Sequence, residues 1–163
     1  MRLLPLFILG LVVLVAGCGQ DAEEKAMEEM IEKSTGGDTD VDITKNQVTI
    51  KGELEGSQYT LMGGEDVKLP KEFPDDIPIY PAAKVISSMQ MPEGFSVVMT
   101  SGDDIDKVIA TLEQEMTANG WTVTQTMSMG THSTLLYVKK ERSANVAIGT
   151  MGSETQISIS VVN

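Results

Sequence analysis

The residue pattern predicts an α+β protein, with an antiparallel β-sheet covered on one face by a single amphipathic helix in the order ββαββββ. A β-hairpin and a Pro-rich connector precede that unit. Three observations carry the expectation. Ile157, Ile159 and Val161 alternate with Ser158 and Ser160, the period of a strand with one buried and one polar face. Ile105, Val108, Ile109, Leu112 and Met116 fall at i, i+3, i+4, i+7 and i+11, one face of a helix. The turns between neighbouring strand-like runs are short, which favours antiparallel pairing, and one helix can then cover one face. The expected divisions are a signal peptide at 1–17, a tether at 18–46, the hairpin and connector at 47–82 and the α+β domain at 83–163.

The chain begins with Arg2 and an apolar run at 3–16, too short for a transmembrane helix but the length of a signal-peptide core. Val15-Ala16-Gly17-Cys18 resembles the bacterial lipobox, in which small residues precede the cysteine that receives diacylglycerol. Cys18 is thereby expected to be the lipidation site and the mature N-terminus. It is the only cysteine, so the mature chain would carry no disulfide. Two or three acyl chains anchor stably, where one alone is marginal. Gly19 stands where Asp would favour inner-membrane retention in a Gram-negative cell, so the expected location is the outer membrane, facing the periplasm.

Residues 21–33 are rich in Ala, Glu, Lys and Met, with Glu29 and Lys33 as an i,i+4 pair, and predict a fraying helix. Residues 34–46 are polar and Gly-containing and read as a flexible linker. Asp38, Asp40 and Asp42 have the spacing that opens an EF-hand loop, but Ile43 and Thr49 stand where that loop needs Gly and Glu. Alternation at 47–51 and around Tyr59 and Leu61, with Glu55-Gly56 between, predicts the hairpin over 47–62. Residues 69–81 hold four of the six prolines and read as an extended connector. Strands at 84–91 and 94–100 flank a turn at 91–94. In the helix that follows, Ser101 with Asp104 resembles a capping box, Asp103 could cap instead, and Asn119-Gly120 is a stop signal. Strands are expected at 121–128, 133–140, 144–150 and 155–162.

The stretch from Val48 to Val123, with its Pro-rich segment, EGFSVVMTS at 93–101, acidic amphipathic helix and Asn119-Gly120-Trp121, resembles a group of small bacterial lipoproteins of unknown function. They share an LP-x-x-FP-x-D-x-P-x-YP-G-A-K segment ahead of a compact α+β domain. Leu69-Pro70, Phe73-Pro74, Asp76, Pro78, Tyr80-Pro81 and Lys84 match, and Ala82 replaces the usual Gly. The resemblance implies the lipoprotein address and the fold. It implies no activity and assigns no catalytic or binding residue.

The formal net charge is −12, with 24 acidic and 12 basic residues, which argues against nucleic-acid binding and against electrostatic docking on anionic lipid. The membrane partner would therefore be reached through the lipid. There is one histidine, His132, in an expected hairpin turn, and no nucleophile–base arrangement, phosphate loop or cofactor motif. The expectation is a non-enzymatic binding or envelope-assembly module without a cofactor, its protein or small-ligand partner unidentified. The alternative is a periplasmic Cu(I) or Ag(I) binder. Met89, Met91, Met127 and Met129 form two Met-x-Met pairs on expected strands, His132 follows closely, and thioethers are soft ligands. Strand phase, counted from Val85 and from Trp121 and Val123, places both Met pairs on core faces, where Met would fill space in an aromatic-poor interior.

Overall fold

The computed structural model describes residues 20–35, 39–54 and 56–162. The signal peptide and Cys18 lie outside the described residues. The elements are α1 (Gln20–Thr35), β1 (Thr39–Thr44), β2 (Gln47–Leu54), β3 (Ser57–Gly64), β4 (Lys84–Met91), β5 (Gly94–Ser101), α2 (Ile105–Ala118), β6 (Thr122–Met129), β7 (His132–Lys139), β8 (Arg142–Met151) and β9 (Glu154–Val162). No helix among the described residues is long and apolar enough to cross a membrane.

All nine strands join one antiparallel sheet in the order β1-β2-β3-β4-β5-β9-β8-β7-β6. This corrects the expected fold class. The hairpin is not a separate unit ahead of a ββαββββ domain, because Leu61 of β3 pairs with Met89 of β4 and makes the sheet continuous. Nor is residue 39–44 part of a flexible linker. Val41 and Ile43 alternate with Asp40 and Asp42, and their backbones pair with Ile50 and Val48 to form an edge strand. The spacing that suggested a calcium loop is thus, at Asp40 and Asp42, strand alternation.

The chain runs β1 to β5 as a meander, crosses through α2 to the far edge, and returns as β6 to β9 until β9 pairs with β5. Counting reversals, β5 and β6 run in the same direction, so α2 is the crossover that such a pair requires. Its apolar stripe lands as the period dictates: Val108, Leu112 and Met116 are fully buried, and Ile105 and Ile109 pack at the margin. The helix lies over β8 and β6. At its C-terminus, the Gly120 N–H donates to the Thr117 carbonyl and the Trp121 N–H to the Met116 carbonyl. That closing motif needs the left-handed backbone that Gly120 adopts at φ 82°. The N-terminus departs from expectation. Asp104 is the N-cap but makes no side-chain cap bond, and the Ser101 hydroxyl accepts from the Asp103 N–H instead.

A second correction concerns what covers the core. The helix shares that work with the Pro-rich connector, whose Ile77 and Tyr80 are buried and whose Phe73 meets Phe95 edge-on at 5.9 Å. Together they close over Phe95, Val97 and Met99 of β5, Leu135 and Tyr137 of β7, Ala144, Val146 and Ile148 of β8, and Ile157, Ile159 and Val161 of β9. Lone prolines argued only for an extended path; they could not show that the path crosses the sheet.

α1 sits on β1. The Glu28 carboxylate accepts the Ile43 N–H at 3.0 Å, occupying a donor of the edge strand.

Candidate ligand-binding surface

The two faces of the sheet differ. On the α2 side, the space between helix, connector and sheet is filled by side chains almost wholly withdrawn from solvent. Trp121, Tyr137, Met99, Leu112 and Met116 are the largest of those that are fully buried. The Tyr137 hydroxyl and Arg142 Nε and Nη2 are buried there without a hydrogen-bonding partner among the described residues. Burial, with the nearby Glu113 carboxylate adding to it, pushes the Tyr137 phenol up to about 12.

The polar residues of the connector segment serve this closed side. Asp76 bridges to Lys139 at 2.6 Å and to Arg142 at 3.0 Å, gripping both ends of the β7–β8 turn. Its backbone carbonyl accepts from Trp121 Nε1 at 3.0 Å, and the Arg142 guanidinium lies 5.0 Å from the centre of the same indole. Desolvation pulls the Asp76 carboxyl upward, but the hydrogen bonds and charges of Lys139 and Arg142 together outweigh it, and the carboxyl titrates below its usual value. Tyr80 donates its hydroxyl to Asp103 at 2.7 Å, and Lys107 donates to the other oxygen of the same carboxylate at 2.9 Å. The bonds from Lys107 and Tyr80 lower the Asp103 carboxyl; the bond to Asp103, with burial behind it, raises the Tyr80 phenol. These residues tie connector, helix and sheet together.

The opposite face carries the other half of each alternating strand. At its centre, Ser96, Ser158, Ser160 and Ala147 are small, and the Ser96 and Ser160 hydroxyls bond across β5 and β9 at 3.1 Å. A depression of about 350 Å³ opens where this floor meets His132, Thr134, Gly149, Met151 and Gln156. His132 is the first residue of β7 and is exposed. Its ring lies against Gly149, where a Cβ would come within 2.6 Å of the imidazole. Sequence reading missed this surface. The serines and Ala147 were legible only as the polar half of an alternation, and nothing in their order shows which strands become neighbours.

The Met pairs also belong to this open face, against the core placement expected from strand phase. A bulge between Val123 and Gln125 inverts the phase of β6, so Met127 and Met129 stand opposite Thr134 and His132 and are 48% and 81% exposed. A bulge between Val85 and Ser87 does the same to β4, so Met89 and Met91 face outward with Ser96 and Gly94. The two pairs do not converge. β4 and β6 are separated by β5, β9, β8 and β7, a span of about 24 Å at the usual strand spacing. Of the five candidate ligands, only Met129 and His132 are cross-strand partners. No cluster of three or more His, Cys, Asp or Glu that could hold a metal occurs among the described residues.

Compared with known proteins, residues 83–157 match a family model described as START domain-like. The matched stretch is less than half of the chain and runs from the start of β4 into β9, taking in α2 and the return meander. Domains of that kind are in general ligand-binding and not catalytic, so the likeness supports a binding module. No curated protein and no solved structure matches the chain.

Proposed function

We propose that this protein is a non-enzymatic binding module held at a bacterial envelope by lipid on Cys18, and that it takes its ligand on the open face of the sheet. The observation that carries the binding site is the contrast between faces. The side under α2 is closed by packed side chains, whereas the other side offers a small-residue floor beside a depression walled by His132, Met151 and Gln156. Short side chains on a rigid sheet let a ligand approach the backbone closely, and a few polar groups at the rim orient it. The START domain-like match over residues 83–157 supports a ligand-binding role. The lipobox-like Val15-Ala16-Gly17-Cys18 and the acidic, lipid-repelling charge support anchoring through acyl chains.

Two experiments test the two halves separately. Cells expressing wild type should incorporate labelled palmitate into the protein, and Cys18→Ser should abolish that label; a labelled mutant would overturn the anchor. Native mass spectrometry of the full chain, released from membranes in mild detergent, should show a non-covalent adduct. Ala147→Trp, which raises a large ring from the floor, should lose the adduct without losing the fold. An adduct unchanged in that variant would move the site elsewhere.

The separation of the Met pairs weakens the Cu(I) reading. Titration with Cu(I) against a competing chelator should give no affinity tighter than micromolar, and tight one-to-one binding lost in Met89→Leu/Met127→Leu would restore it.

A further inference from the structure

The two edges of the sheet are treated differently. An edge strand presents unpaired N–H and C=O groups, and proteins that stay apart guard such edges with charge, proline or a covering element. β1 is guarded in two ways: Asp40 and Asp42 put carboxylates on it, and Glu28 of α1 accepts the Ile43 N–H. β6 has neither. Its sequence, TVTQTMSM, holds no charge and no proline, and every one of its eight residues is exposed. Residues 121–138, which span all of β6 and all of β7 but its last residue, Lys139, contain no Asp, Glu, Lys or Arg in a chain with 36 of them. The bulge between Val123 and Gln125 twists only the first part of the strand, leaving Thr126 to Met129 regular.

We infer that β6 is a self-association edge, at which two copies of this chain pair β6 with β6 antiparallel and extend the sheet across a two-fold axis. Charge decides in favour of a second copy. Two chains of net charge −12 repel wherever their carboxylates meet, and this edge is where they can close without opposing any. A cationic partner would be drawn to the acidic surfaces instead, and β6 offers it nothing to pair with. An isologous pairing about Met127, within the run after the bulge, sets Gln125 opposite Met129 and Thr126 opposite Ser128, with no like charges in the register. The guarded β1 edge makes the assembly stop at two.

An eight-residue strand is about 27 Å long, so the interface is small and the dimer should be concentration-dependent. The test is sedimentation velocity of the full chain in detergent across about a hundredfold range of protein concentration. Wild type should shift from monomer to dimer. Gln125→Lys/Met127→Lys places two cations from each copy in the paired strands, with position 127 facing itself, and should weaken the dimer by at least about tenfold. Both positions are exposed, and a thermal melt matching wild type will show that the variant is folded. Asn145→Lys adds a single cation to the open face away from the edge and should leave the dimer intact. A wild type monomeric at every concentration, growth beyond dimers, or a dimer lost in Asn145→Lys and kept in the β6 variant would each overturn the proposal.

Discussion

Asp76 shows how one carboxylate can hold three elements. It grips Lys139 and Arg142 of the β7–β8 hairpin, while its carbonyl fixes the Trp121 indole at the end of α2. All three side chains are about a quarter exposed, so solvent screens part of the gain. Asp76→Asn should cost about 1–2 kcal/mol in urea unfolding at neutral pH. Because the folded carboxyl titrates below its unfolded value of 3.8, its contribution is complete above that pH and is lost as pH falls through the lower folded value. The wild-type advantage over Asp76→Asn should therefore begin to shrink as pH falls below about 4 and be gone only below the folded value. Tyr137 works in the opposite range. Its phenol is raised to about 12, so wild-type stability should decline as pH rises from about 10, where the unfolded chain ionises first. Tyr137→Phe should remove that alkaline loss and, since the hydroxyl has no partner among the described residues, cost little at neutral pH. The sequence displayed Asp76 and Tyr80 as parts of a recognisable segment. It could not display their purpose, because Lys139 lies 63 residues from Asp76 and Asp103 lies 23 from Tyr80.

Among the elements, α2 was legible nearly to the residue because its information is local: five apolar side chains at helical spacing and an Asn-Gly stop. Leu112→Asp places a carboxylate in the middle of that stripe and should cost several kcal/mol, read as loss of a cooperative melt at ordinary temperature. The β4–β5 turn is equally local, yet Gly94 serves a distant strand. A Cβ there would collide with the carbonyl of Val161 on β9, so Gly94→Ala should destabilise by about 2 kcal/mol or more. Strand faces were legible where alternation is unbroken, as in β9, and misread where a bulge intervenes. One extra residue between Val123 and Gln125 reverses every side chain after it, and neither residue type announces a bulge. β1 was missed for a different reason. Its Asp residues resemble linker composition, and a six-residue edge strand has only Val41 and Ile43 to signal itself.

At the scale of the molecule, the continuous sheet joins regions that sequence divides. The Pro-rich connector suggested a hairpin apart from a domain, whereas the pairing of β3 with β4 unites them. The buried core nevertheless lies over β4 to β9, so removing residues 20–46 should leave a cooperative transition at a lower midpoint, checked by calorimetry. The order of strands also ties assembly to synthesis. β5 meets its inner neighbour only when β9 arrives, pairing Gly94 with Val162 and Ser101 with Thr155 across the middle of the sheet. Until then Phe95, Val97 and Met99 have no complete floor, and two open meanders coexist with their inner edges bare. Under the envelope location proposed above, the chain would cross a membrane unfolded, and this order of pairing would suit that passage. The central pairing of the sheet cannot close until β9, the last of the described strands, has been made.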